Sequence, residues 1–82
     1  MDSLARAAEL LKLMGDPTRV RLLALLSRDE LTVAELTEAT QLAQSRVSTH
    51  LGKLREAGLV QDRRAGTSSY YRMSRNGMPA GA

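Results

Sequence analysis

The chain has 82 residues, 43% hydrophobic and 26% charged, which predicts one small folded domain. It has no Cys, Trp or Phe, so disulfides and thiolate-bound metals are excluded and the core must be largely aliphatic. No apolar run approaches the ~20 residues that a membrane-spanning helix needs, and the amphipathic N-terminus with its acidic residues does not resemble a signal peptide. These features favour a protein of the reducing cytoplasm.

The net charge of +3 is distributed unevenly along the chain. Residues 1–42 hold five Lys or Arg and seven Asp or Glu, a balance of −2. Residues 43–82 hold seven basic and two acidic residues, a balance of +5. Positive charge concentrated in one part of a domain is typical of proteins that bind nucleic acids. Many small domains without that function also have an uneven charge distribution.

Helical spacing of apolar residues predicts two helices in the first third of the chain. The first covers Ser3–Met14, and its apolar arc is wider than a single buried face requires. The additional surface would pack either on a second subunit or inside the chain's own core. Asp16 is expected to cap the second helix, which has Pro17 at its first position and continues to about Ser27.

Two further helices are predicted on either side of a short turn. Thr32 and Glu35 have the spacing of a capping box, which predicts a third helix over Val33–Thr40. Residues 41–43 would form a tight turn, and the fourth helix would cover about 44–57. Two short helices joined by such a turn are typical of helix-turn-helix proteins.

The polar face of the fourth helix is the most informative feature of the chain. Its apolar stripe is Val47, Leu51 and Leu54, and within this helix no acidic residue precedes Glu56. A solvated helix usually carries both signs of charge, whereas DNA phosphates repel a carboxylate. The pattern predicts a helix that enters a DNA groove, with an ordinary solvated face as the alternative. Its candidate DNA contacts are Gln44, Ser45, Arg46, Ser48, Thr49 and Lys53.

Beyond the fourth helix the apolar period changes from 3.6 to 2. Gly58 is predicted to end the helix in the left-handed conformation. Strands at 60–64 and 68–73 flank a turn that contains Gly66, which predicts a β-hairpin. Of Tyr70 and Tyr71, one is expected to face outward and the other the core, and Tyr71 is expected to share a face with Met73.

Three residues near the hairpin tip and the single histidine complete the candidate contacts. Arg63, Arg64 and Thr67 suit contacts with phosphate or the minor groove; the alternative is a hairpin edge that only aids solubility. Asp62 is expected to orient one of these arginines. His50 has neither a Cys nor a second His as a partner for a metal, so we expect it to be structural or to contact phosphate.

Together these elements predict a mainly α fold with a small β-hairpin, an α+β winged helix-turn-helix. It would occupy residues 1–75, and residues 76–82 would form a flexible tail or the start of a linker. The third helix would brace against the DNA backbone, the fourth would enter the major groove, and the hairpin over 60–73 would be the wing.

Three segments of the chain form a recognisable combination: LKLMGDPTRVRLLALL at 11–26, TVAELTEATQLAQSRVSTHLGKLREAGLV at 32–60 and the R-x-G…YYR hairpin at 64–73. Together they resemble the ArsR/SmtB-type winged helix-turn-helix regulators. The resemblance implies a homodimeric repressor that binds inverted-repeat operators in double-stranded DNA, and in many members an inducer such as a metal ion releases the DNA. For this chain we expect helix 3–14 to supply part of the dimer contact.

The chain departs from the family where its metal-sensing members carry a Cys-x-Cys pair, because Thr32 and Ala34 occupy the matching positions. Neither side chain provides a thiolate, so we expect no metal and no other cofactor. Ala43 stands where a Ser cap is common, so the fourth helix is expected to begin with a weaker cap. The further helix with which many members end is not apparent before Ala82.

No constellation of nucleophile, acid and base is apparent and no glycine-rich phosphate loop is present, so we do not expect an enzyme. A sequence-specific DNA-binding regulator is favoured instead. One alternative is the N-terminal DNA-binding module of a longer protein, for example one fused to a methyltransferase, which the linker-like ending favours. Another is a winged-helix module that binds proteins, against which the positive second half argues.

Overall fold

The computed structural model describes residues 3–75 and confirms the predicted winged helix-turn-helix. Every predicted helix is present within one residue of its expected bounds, and so is the hairpin. Residues 76–82, for which a tail or linker is predicted, lie outside the described part of the chain. The elements are α1 (Ser3–Met14), α2 (Pro17–Leu26), β1 (Leu31–Thr32), α3 (Val33–Thr40), α4 (Gln44–Glu56), β2 (Val60–Ala65) and β3 (Ser68–Met73).

The short strand β1 is an element that the sequence did not predict. It pairs antiparallel with β3, with Leu31 opposite Tyr71 and Thr32 opposite Tyr70, so the sheet has three strands in the order β1-β3-β2. Two residues are too few to show an alternating pattern, and β1 is recognised only by its pairing with the edge of β3. The sheet attaches the wing to the start of α3.

Local capping explains where α2 and α3 begin. The Asp16 carboxylate accepts a bond from the backbone N–H of Thr18 at 2.8 Å. Thr32 and Glu35 form the predicted capping box, in which each side chain accepts a bond from the other residue's backbone N–H. Ala43 provides no side-chain cap for α4, so the first turn of α4 presents uncapped backbone N–H groups.

The core lies where α2, α3 and α4 meet the sheet. Its fully buried side chains are Leu22, Leu36, Val47, Leu51, Leu54 and Val60. Of the two adjacent tyrosines, Tyr71 is the one that faces this core from β3, with 9% of its surface exposed. By contrast, α1 has no buried residue and packs through partly buried side chains such as Leu10 and Leu13. A side-chain bond from Arg6 to the carbonyl of Ala57, at 2.7 Å, also joins α1 to the end of α4.

The turn between α3 and α4 contains a residue with an uncommon backbone conformation. Gln41 ends α3 with φ +59°, in the left-handed region that glycine prefers. Its side-chain amide donates to the carbonyl of Glu38 at 2.7 Å, which satisfies one of the free carbonyls at the helix end. This turn sets the direction in which α4 leaves α3.

The end of α4 has the predicted left-handed glycine. Gly58 has φ +80°, and the N–H of Leu59 donates to the carbonyl of Leu54 at 3.0 Å, which is the long bond of a Schellman motif. This motif reverses the chain direction directly before β2. The wing therefore begins at a defined angle to the helix.

We expect Gly58→Ala to lower the free energy of unfolding by about 1–2 kcal/mol, because an L-residue is strained at positive φ. Gly52→Ala is the matched control, since this glycine lies inside α4 and a Cβ there would meet nothing within 4 Å. The control should instead raise stability by about 0.5–1 kcal/mol. Urea denaturation followed by circular dichroism measures both, and a change of the same sign in both variants would contradict the assignment.

Candidate nucleic-acid interface

The exposed side of α4 is defined by its buried side. Val47, Leu51 and Leu54 are completely buried against the core. With 3.6 residues per turn, the opposite side is a ridge along Ser45 and Thr49. Both ridge residues are exposed to solvent.

Short polar side chains lie on and beside the N-terminal half of this ridge. Ser45, Ser48 and Thr49 are all exposed, and the first turn of α4 contains no acidic residue. The hydroxyl of Thr49 donates to the carbonyl of Ser45 at 2.9 Å, so its oxygen remains available as an acceptor. Such side chains can approach base edges closely, because they are small and carry no charge that phosphate repels.

Two cations lie on one flank of α4. Arg46 and Lys53 are seven residues apart and therefore lie on the same side of the helix. No carboxylate within residues 3–75 forms an ion pair with either. Lys53 shares a hollow with Glu9 of α1 and Glu56, so it lies at the margin of the exposed ridge.

His50 does not lie on the exposed side of α4. Only 9% of its surface is accessible, because it follows Val47 by three residues and faces the body of the domain. Its Nδ1 lies 3.4 Å from Nη1 of Arg19, and its Nε2 lies 4.0 Å from the Asp16 carboxylate. The same Arg19 donates through Nε to the carbonyl of Leu13 at 2.8 Å. This placement fits the structural alternative for His50, and we remove it from the candidate DNA contacts.

We expect Asp16→Asn to make thermal stability less sensitive to acid. The backbone bond from Thr18 is the main cause that lowers the pKa of Asp16, and the charges of His50 and Arg19 lower it further. Since the folded pKa lies below the ordinary 3.8, the contribution is present above that value and is lost as pH falls through the folded pKa. Asparagine caps a helix equally well but does not titrate.

Thermal melting of both proteins between about pH 6 and pH 3, across the ordinary carboxyl range, measures this effect. The wild-type melting temperature should fall further than that of Asp16→Asn. Equal decreases would contradict a contribution from Asp16.

The outer part of the hairpin is exposed. Gly66 has φ +64° and forms the turn, with Thr67 exposed beside it. Arg64 faces the same side of β2 as Val60, and its only side-chain bond within residues 3–75 is a long one, 3.5 Å, to the hydroxyl of Ser69. The guanidinium of Arg64 is therefore available for an external anion.

Arg63 lies on the other face of the hairpin and is already paired. Its Nε and Nη2 donate to the two carboxylate oxygens of Glu30 at 3.0 and 2.8 Å. Its guanidinium also lies 4.8 Å from the centre of the Tyr70 ring. The bonds from Arg63 lower the pKa of Glu30, so the carboxylate stays charged. This partner could not be predicted from the sequence, because 33 residues separate the pair and the loop before β1 has no signal of its own.

Asp62 pairs with α4 and not with a wing arginine. Its carboxylate lies 3.4 Å from Nη1 of Arg55. Asp62 and Val60 share one face of β2, the face that packs on α4, which is why Arg55 is its neighbour. The prediction that Asp62 orients a wing arginine is therefore wrong.

Comparison with known proteins identifies the family. Residues 16–62 match the sequence model described as "Bacterial regulatory protein, arsR family". This chain belongs to the ArsR family of bacterial regulatory proteins. The ArsR-family match includes α2, the helix-turn-helix and the start of the wing.

Individual relatives agree with this assignment. The chain is 49% identical over 63 residues to the arsenic resistance transcriptional regulator ArsR1 of Pseudomonas putida, a match that covers 76% of this chain and about half (49%) of ArsR1. HlyU from Vibrio cholerae has the same fold with a TM-score of 0.85 and 38% identity over 89% of this chain and 79% of HlyU. The homodimeric winged helix-turn-helix DNA-binding domain of Mb0332 from Mycobacterium bovis has a TM-score of 0.79 and 34% identity, covering 85% of this chain and 65% of that one.

The residues of this ArsR-family chain do not fit the thiolate metal site of the family's metal sensors. Thr32 caps α3 with its hydroxyl, and Ala34 has no ligand atom. Within residues 3–75, no three His, Cys, Asp or Glu side chains cluster in a way that would hold a metal ion. Among the same residues, none of the helices has the length and apolar character needed to cross a bilayer.

Proposed function

We propose that this ArsR-family chain is a sequence-specific transcriptional regulator that binds double-stranded DNA in the cytoplasm and acts as a repressor rather than as an enzyme. In this proposal α4 enters the major groove and the hairpin over 60–73 is the wing. The observation that carries the proposal is the exposed N-terminal half of α4, which lacks any carboxylate and stands beside a basic wing. The +5 balance of residues 43–82 supports it.

The proposed contacts fall into two groups. Base edges would be read from the first two turns of α4, where Arg46 suits guanine and Gln44 suits adenine. Phosphates would be held at the margins of the interface, which fixes the orientation of the domain. The base-edge group is Gln44, Ser45, Arg46, Ser48 and Thr49, and the phosphate group is Lys53, Arg64 and Thr67.

We also propose that two copies associate through α1 and bind an inverted repeat. Leu4 and Leu11 lie seven residues apart on one side of α1, and they are 79% and 74% exposed. Side chains of this size on one face favour a protein contact. The homodimeric state of the similar Mb0332 domain supports a dimer. A twofold dimer would present its two α4 helices to successive major grooves of a palindromic site.

We expect Leu11→Glu to weaken self-association about tenfold or more, because a carboxylate would be buried without a partner. Leu11→Met is the matched control, since it keeps an apolar side chain of similar volume. Sedimentation equilibrium measures the dissociation constant of both variants. Unchanged association of Leu11→Glu would contradict a role for α1 in the dimer.

Selection of bound duplexes from a random DNA pool tests the proposed function. We expect an inverted repeat to be enriched and its affinity to fall steeply as the salt concentration rises. Arg46→Ala and Ser48→Ala should weaken binding of the selected duplex, and a reporter gene placed behind it should be repressed. Absence of any salt-sensitive affinity for DNA would favour the protein-binding alternative.

A further inference from the structure

Glu30 connects the two outer strands of the sheet. It precedes β1, whereas its partner Arg63 lies on β2, with β3 between them. The guanidinium of Arg63 lies over Tyr70 of β3, so the bridge crosses the whole sheet on its outer face. Nε of Arg72, also on β3, lies 4.0 Å from the same carboxylate. Glu30, the residue directly before β1, thus contacts side chains of both other strands near the middle of the hairpin.

The geometry leaves Arg63 little capacity for DNA. Two parallel N–H···O bonds between a guanidinium and a carboxylate are a strong and directional arrangement. The Nε and Nη2 groups that donate to Glu30 cannot at the same time donate to a phosphate. Arg64 is the next residue and faces the opposite side of β2, where its one side-chain bond to the described residues is the 3.5 Å contact with Ser69.

We propose that Glu30 is a positioning residue for DNA binding, and that Arg63 acts through Glu30 instead of contacting DNA. The pair holds the middle of the hairpin against the loop before β1, so that Arg64 and Thr67 reach the DNA at a defined place. This inference rests on the proposed function, and it replaces the expectation that Arg63 itself contacts phosphate.

The test must separate positioning from simple electrostatics. Removal of any carboxylate near DNA should raise affinity slightly, because phosphates repel it. Asp29→Asn is therefore the control for Glu30→Gln: Asp29 is the adjacent residue, is exposed, and has no side-chain ion pair within residues 3–75. We expect Glu30→Gln to bind the selected inverted-repeat duplex about three- to tenfold more weakly than Asp29→Asn.

A double-mutant cycle adds a second readout. Arg63→Gln should weaken binding at least as much as Glu30→Gln does, and the double variant should be no weaker than Arg63→Gln alone. The dependence of log affinity on log salt distinguishes a phosphate contact, because loss of one contact reduces the slope by about one. We expect Arg63→Gln to keep the wild-type slope and Arg64→Gln to reduce it by about one for each subunit.

The outcomes separate this inference from the proposed function. Wild-type protein without salt-sensitive DNA affinity would overturn both. Wild-type binding together with equal affinities of Glu30→Gln and Asp29→Asn would overturn the positioning role alone. A reduced salt slope for Arg63→Gln would do the same, because it would show that Arg63 contacts phosphate. Circular dichroism melting of each variant checks that the fold is retained.

Discussion

Ser45→Glu is expected to weaken DNA binding by roughly 100-fold or more while leaving the fold intact, since each disrupted base contact costs about 1–3 kcal/mol and a dimer loses it twice. Ser45 lies at the second position of α4, on the ridge opposite the core. A carboxylate there would face phosphates and base acceptors. The same carboxylate suits the positive end of the helix dipole, so the melting temperature should stay the same or rise slightly.

This opposite response of stability and affinity distinguishes a lost contact from a damaged fold. Ala24→Glu is the control, because it adds the same charge to an exposed position of α2. Salt screens charges beyond about 10 Å at 0.1 M, so the control should change affinity only slightly. Fluorescence anisotropy with the selected duplex measures both variants. Near-wild-type affinity of Ser45→Glu would contradict the placement of α4 in the groove.

Leu51→Ala is expected to lower the free energy of unfolding by about 2–5 kcal/mol, through lost burial and the cavity left behind. Leu51 is completely buried on the core side of α4, and the cluster around it includes Leu22 of α2 and Leu36 of α3. Small domains have a total stability of only about 5–15 kcal/mol. The variant should therefore be partly unfolded at physiological temperature and bind DNA weakly for that reason.

The control for this prediction is Leu51→Met, which keeps the volume of the side chain and should cost less than about 1.5 kcal/mol. Urea denaturation followed by circular dichroism gives both values. If Leu51→Ala cost no more than the methionine variant, Leu51 would not lie in the close-packed centre of the core.

The local elements could be predicted from the sequence because their signals are contained within a few residues. Thr32 and Glu35 form their capping box within one turn, and Asp16 caps α2 two residues away. Gly58 ends α4 because it tolerates a positive φ. The apolar stripe of α4 predicted which side of the helix is buried, and the opposite side is therefore the exposed one.

Contacts between distant residues could not be predicted in this way. The bonds of Arg63 with Glu30 and of Asp62 with Arg55 depend on how strands and helices are placed relative to each other. Arg63 and Arg64 look equivalent as a dipeptide, yet the alternation of a strand sends them to opposite faces. Only one of those faces has Glu30 nearby.

By itself the sequence determined the element order, the side of α4 that is buried and the absence of thiolate ligands, since helical period, caps and composition are local properties. The tertiary structure decided which polar residues of the predicted interface are free. Packing of α2 against α4 places His50 beside Arg19, and pairing of β1 with β3 brings Glu30 to Arg63. Polar side chains from distant parts of the chain form bonds wherever packing brings them close together. Which polar side chains remain unpaired therefore depends on how the helices and strands are assembled.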